Sequence, residues 1–134
     1  MVNMMTKKIL LAEDDIDDRE FFHYFLCNRK DIELLPIVEN GDEIIQYLEG
    51  LSDVTSLPDV IILDQNMPKR SGLKTLQYLK ENERYNHINV VIYSTFADEN
   101  LTEKSFSLGA NSVITKPTNM EGYHKMIDEV FMLG

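Results

Sequence analysis

One cysteine, Cys27, stands in a chain of 134 residues. A lone thiol excludes an internal disulfide and makes a reducing cytoplasm the natural setting. Long apolar runs are also missing. The opening stretch, MVNMMTKKILLAEDD, offers only Ile9 to Ala12 before acid begins. It lacks the h-region of a signal peptide, and no segment approaches the ~20 apolar residues of a membrane span. Positive charge is scarce: 13 Lys and Arg face 23 Asp and Glu, for a net charge of −10 and a pI near 4.6. Such a surface repels a phosphate backbone, which argues against direct nucleic-acid binding. No linker, repeat or low-complexity segment interrupts the chain. Its length suits one compact domain burying about two-thirds of the unfolded surface. A single domain over residues 1–134 is expected, with no output domain after Phe131.

What is present is an alternation. Ile9–Ala12, Leu34–Val38, Val60–Leu63, Val90–Tyr93 and Val113–Thr115 read as strands. Most are short, continuous and rich in β-branched residues, as in parallel strands covered on both faces. Amphipathic stretches separate them. Phe22, Phe25 and Leu26 mark the first, Ile44, Ile45 and Leu48 the second, and Leu73, Leu76 and Leu79 the third. The fourth, Asp98 to Leu108, is weaker, anchored by Leu101 and Leu108. The last carries Tyr123, Met126, Ile127, Val130 and Phe131 at helical spacing. Asp15, Asn40 and Asp98 are placed to start helices, and Gly109 to stop the fourth. The pattern is (βα)5, and right-handed crossovers put helices on both faces of the sheet.

In open α/β sheets, ligands sit beyond the carboxyl ends of the strands. Those ends carry chemistry here. The first strand runs into Glu13, Asp14 and Asp15, the third ends on Asp64, the fourth on Ser94 and Thr95, and the fifth on Lys116-Pro117. Crowded acids repel by roughly 1 kcal/mol per pair in water and several-fold more when partly buried. A divalent cation relieves that repulsion, and carboxylate, carbonyl and water ligands suit Mg²⁺. Lys116 adds a mobile positive charge. Such an edge is prepared for a phosphoryl group, with Asp64 as nucleophile and Ser94 or Thr95 as hydrogen-bond donors. Taken singly, each residue has a plainer use: Asp15 as a helix cap, Asp17 and Asp18 as first-turn acids, Ser94 and Thr95 as turn hydroxyls, Lys116 as a solvated lysine. His23, His87 and His124 lie apart and read as surface or partly packed residues.

The motifs KKILLAEDD, DVIILDQNMPKRSG, VVIYST and GANSVITKP, in that order, give a chain that resembles the response-regulator receiver domains of bacterial two-component signalling. The stretch before Leu57-Pro58-Asp59, with the NMPKRSG loop, resembles the stand-alone subgroup associated with phytochrome-type sensor kinases. The resemblance implies a flavodoxin-like three-layer sandwich with strand order 2-1-3-4-5. It implies that Asp64 accepts a phosphoryl group from a sensor histidine kinase or a histidine phosphotransfer protein. Mg²⁺ would then be held by Glu13, Asp14, Asp64 and the Asn66 backbone carbonyl. Ser94 matches the switch hydroxyl and Lys116 the phosphoryl-pairing lysine, whose bond to Pro117 is expected to be cis. The implied role is a phosphoacceptor rather than an enzyme acting on outside substrates. Its signal would leave through an unidentified downstream protein, onward phosphotransfer or self-association as a homodimer.

Two positions depart from the family pattern. Thr95 stands where a small residue is common, narrowing access to Asp64. Val113 replaces the aromatic switch residue of the fifth strand, so an inward-rotating ring cannot report phosphorylation. Phe96, Phe106, Val113 and Tyr123 are read as either an interaction face or packing. Other readings stay open. A phosphatase would need an acid at Asn66, and a serine hydrolase would need a nucleophile elbow around Ser94. A flavodoxin-like cofactor binder would need a phosphate loop where EDDIDD stands. A receiver-like module that no longer takes phosphate would fit Thr95 and Val113.

Overall fold

The computed structural model describes residues 6–133; Met1 to Met5 and Gly134, parts of the segments read above, lie outside that range. Five strands alternate with five helices: β1 (Lys7–Ala12), α1 (Ile16–Leu26), β2 (Ile32–Leu34), α2 (Gly41–Glu49), β3 (Val60–Asp64), α3 (Gly72–Glu81), β4 (Asn89–Ser94), α4 (Glu99–Ser107), β5 (Ser112–Thr115) and α5 (Met120–Leu133). The sheet is wholly parallel, in the order β2-β1-β3-β4-β5. This is the flavodoxin-like arrangement expected from the alternation and the resemblance.

Strand residues divide by parity, because successive side chains point to opposite faces. Leu10, Ile61, Leu63, Val90 and Ile92 pack with Ile44 and Leu48 of α2 and Leu76 and Leu79 of α3. Ile9, Leu11, Val60, Ile62, Val91 and Tyr93 face the other way, onto Phe22 and Leu26 of α1 and Tyr123, Ile127 and Val130 of α5. Both faces are therefore covered, which explains why the strands read as continuous apolar runs. No described helix is long and apolar enough to cross a membrane.

Three local findings refine the sequence reading. The second strand was expected over Leu34–Val38 but lies at Ile32–Leu34. Pro36 has no N–H to give the ladder, so pairing breaks there and resumes only as a bridge between Val38 and Ala12. The helix signals behave as expected: Asp15, Asn40 and Asp98 each accept a backbone N–H at an N-cap. Gly109 closes α4 at φ 101°, a conformation open to glycine. Lys116-Pro117, expected to be cis, is trans like every other described peptide bond. Trans is the intrinsically favoured isomer, and Lys116 reaches the strand ends from it.

α4 is the least anchored helix. Its one fully buried residue is Ser105, whose hydroxyl finds no hydrogen-bond partner. A buried unpaired hydroxyl opposes folding, and alanine is also the better helix former. Ser105→Ala should raise the unfolding free energy by about 1 kcal/mol, measured by urea denaturation. No change, or a loss, would show that the hydroxyl is satisfied in solution.

Candidate functional site

Parallel pairing brings the ends of β1, β3, β4 and β5 together, since Ala12 aligns with Leu63, Asp64 with Tyr93, and Ser94 with Thr115. Asp64 and Glu13 are buried there, at 3% and 0% exposure. One ligand atom from each of Glu13, Asp14 and Asp64 lies within 4.8 Å of the other two. A cavity of about 550 Å³ opens over them, lined by Asp14, Asp64, Asn66, Thr95 and Lys116 together with the acidic start of α1.

The Lys116 amine crosses from β5 to the acids. It lies 2.8 Å from Asp18 Oδ2, 2.9 Å from Glu13 Oε1 and 3.3 Å from Asp64 Oδ2. Burial works against its charge, but hydrogen bonds to Asp18 and Glu13 outweigh burial and lift its pKa above the usual lysine range. Glu13 also accepts the Asp15 N–H on Oε2 and the Tyr93 hydroxyl on Oε1. Burial opposes its ionisation, yet bonds with Asp64, Tyr93 and Lys116 lower its pKa below the ordinary value. Asp64 moves the other way. Burial first, then the hydrogen bond and charge of Glu13, raise it to about 7 despite Lys116. Two close carboxyls holding one proton, with the proton on Asp64, account for both shifts.

The structure thus gathers Glu13, Asp14, Asp64, Asn66, Thr95 and Lys116. The Asn66 N–H donates to Asp64 Oδ1 at 3.2 Å, bending the β3–α3 loop over the acid. Ser94 is at the strand end but turned away: its Oγ accepts the Phe96 N–H at 3.3 Å and does not line the cavity. Val113 packs at the edge of the α2–α3 core, away from the acids. Phe96 and Phe106 are exposed, whereas Tyr123 is buried against α1.

Three contributors escaped the sequence reading. Asp18 had the plainer use of a first-turn acid, and the fold makes it Lys116's nearest partner. Tyr93 looked like one more core residue of β4. Gly72 stood only as the last residue of the NMPKRSG loop, yet a Cβ there would sit 2.8 Å from the Asp64 carbonyl oxygen and 3.0 Å from Gln65 Cα. No local signal separates these residues from helix, strand and turn neighbours of the same type.

A divalent cation fits this donor set. Three hard oxygen donors lie within reach of one ion, Asn66 stands beside the cavity, and the opening leaves room for water ligands.

The chain belongs to the response regulator receiver domain family, whose profile matches residues 9–128. Its structure is similar to the Mn²⁺-bound form of response regulator Rcp1, with 31% identity, a TM-score of 0.76, and 92% of this chain and 91% of that chain covered. It is also similar to the phosphorylated cyanobacterial phytochrome response regulator RcpA, with 30% identity, a TM-score of 0.78, and coverage of 93% and 91%. A protein-glutamate methylesterase/protein-glutamine glutaminase of Trichodesmium erythraeum (strain IMS101) is 29% identical over 125 residues. That match takes in 92% of this chain and 34% of the relative, so the chain spans about a third of that relative's length.

Two measurements check the geometry. An unfolded Asp titrates near ~3.9. With the folded value raised to about 7, Asp64 favours the native state fully only below pH ~4 and loses that contribution as pH rises through about 7. In EDTA, Asp64→Asn should therefore be more stable than native protein at pH ~8, with the gap closing toward pH ~4. A pH-independent gap in urea denaturation would refute the raised value. Gly72→Ala must push the β3–α3 backbone apart, and a loss of about 1–3 kcal/mol in the same assay is expected.

Proposed function

We propose that this receiver domain is a Mg²⁺-dependent phosphoacceptor, with Asp64 taking a phosphoryl group from the phosphohistidine of a sensor kinase or phosphotransfer protein. The observation that carries this reading is the cluster of Glu13, Asp14, Asp64 and Lys116 beneath an open cavity. An Asp64 oxygen forms the new O–P bond while the N–P bond of phosphohistidine breaks. The imidazole keeps the electron pair and takes a proton from solvent. The attacking carboxylate must be ionised, and Lys116 favours that state. Bound Mg²⁺ would be held by Glu13, Asp14, Asp64 and the Asn66 carbonyl. It would neutralise charge as carboxylate and phosphoryl oxygens meet.

After transfer, Asp64 carries about −1.5 to −2 charges near neutral pH. Lys116 is poised to pair with it, and Ser94 would leave Phe96 to donate to a phosphoryl oxygen. That exchange releases the β4–α4 loop, whose exposed Phe96 then reports the change. With Val113 in β5, this loop rather than a rotating ring would carry the signal. The partners are the phosphohistidine donor and a downstream protein, a second copy of the chain or an onward phosphotransfer protein. A regulatory role for this receiver domain, without turnover of an outside substrate, is supported by its likeness to the response regulators Rcp1 and RcpA.

The test is labelling with a sensor kinase prelabelled on its histidine and, separately, with radiolabelled acetyl phosphate. Native protein should gain a hydroxylamine-sensitive label that EDTA abolishes and Asp64→Asn lacks. Thr95→Ala, which opens the cavity wall, should speed labelling by acetyl phosphate several-fold. Label retained by Asp64→Asn, or no label from either donor with Mg²⁺ present, would overturn the reading.

A further inference from the structure

Tyr93 touches the site from beneath. Its ring is wholly buried, lies edge-on to Phe22 and belongs to the core between the sheet and α1 and α5. Its hydroxyl donates to Glu13 Oε1 at 2.5 Å, and the Lys116 amine sits 5.0 Å from its ring centroid. Lys116 also reaches that same Oε1, at 2.9 Å. One oxygen of a fully buried carboxylate thus has two donors. The phenol is fixed by the packed ring; the amine rides on a flexible stem.

The difference matters when Asp64 gains a phosphoryl group. The amine lies 3.3 Å from Asp64 Oδ2, and the new negative charge draws it away from Glu13. With the Asp15 N–H on Oε2 as its remaining donor, the buried Oε1 would be left unpaired, and that penalty would hold Lys116 in its resting place. The tyrosine hydroxyl removes much of the penalty, because Glu13 keeps a donor while the lysine leaves. Packing alone does not call for the hydroxyl, since phenylalanine would fill the same volume.

We propose that Tyr93 is a positioning residue that holds Glu13 through the phosphorylation step and so frees Lys116 to transfer from Glu13 to the phosphoryl group. This inference rests on the phosphoacceptor reading. It concerns the one Glu13 oxygen that Tyr93 and Lys116 share.

The experiment titrates beryllofluoride, a phosphoryl mimic, into protein saturated with Mg²⁺, and titrates Mg²⁺ alone in parallel. Tyr93→Phe should weaken beryllofluoride binding about tenfold, the worth of one hydrogen bond to a charged group, with each variant kept at the saturating Mg²⁺ found in its own titration. In a Glu13→Gln background the buried charge is gone, and Tyr93→Phe should then cost nothing further. Native-like beryllofluoride binding by Tyr93→Phe would overturn the inference. So would an equal loss in both backgrounds, which marks a packing effect. If native protein binds no beryllofluoride, the phosphoacceptor reading itself fails and this inference falls with it. A measurement on native protein covers the case in which Tyr93→Phe does not fold. The Tyr93 hydroxyl proton, followed by NMR, should persist and shift when beryllofluoride binds, and its loss to solvent exchange would overturn the inference.

Discussion

Like charges held close in a poorly solvated place are the constraint on which this structure turns. Glu13, Asp14 and Asp64 stand together because the strands that carry them are parallel neighbours. Two of the three carboxylates are buried, so water cannot relieve them. The fold supplies what water does not: the Lys116 amine, two backbone N–H groups and the Tyr93 hydroxyl. None of these fully cancels the negative charge, and the remaining imbalance suits this edge to a divalent cation.

Rigid and movable parts are separated at this edge. Asp64 sits at the end of a strand paired on both sides and buried on both faces, which keeps its carboxylate in place. The Gly72 approach pins α3 against that strand end. The looser parts are the lysine stem of Lys116 and the side-chain contacts of the Ser94–Phe96 turn, whose hydrogen bonds are long, at 3.3 and 3.4 Å. α4 follows directly, seated by one buried serine and by partly buried leucines. A change of charge at Asp64 would therefore meet stiffer structure on the β1–β3 side than on the β4–α4 side.

The receiver domains of Rcp1 and RcpA share this chain's fold at about three residues in ten. Identity at that level leaves most of the core free to vary, provided parity and volume are kept. Tyr93 shows what such latitude allows. A core position of β4 carries a polar tip that reaches the acids, while its ring does ordinary packing work among Phe22 and its neighbours.

The sequence by itself determined the alternation of elements, the helix starts at Asp15, Asn40 and Asp98, and the convergence of Glu13, Asp14, Asp64 and Lys116 at one edge. Each follows from local chemistry: β-branched runs, capping oxygens, and strand ends that parallel pairing must bring together. Where the chain's own chemistry was ambiguous, the tertiary structure decided. Pro36 shortened β2 because a missing donor matters only once a neighbouring strand asks for it. Asp18 became a partner of Lys116, and Tyr93 a partner of Glu13, because those pairs lie 98 and 80 residues apart in sequence. Ser94 turned toward Phe96 because a hydroxyl rotates to its nearest partner, and only the folded loop says which partner that is.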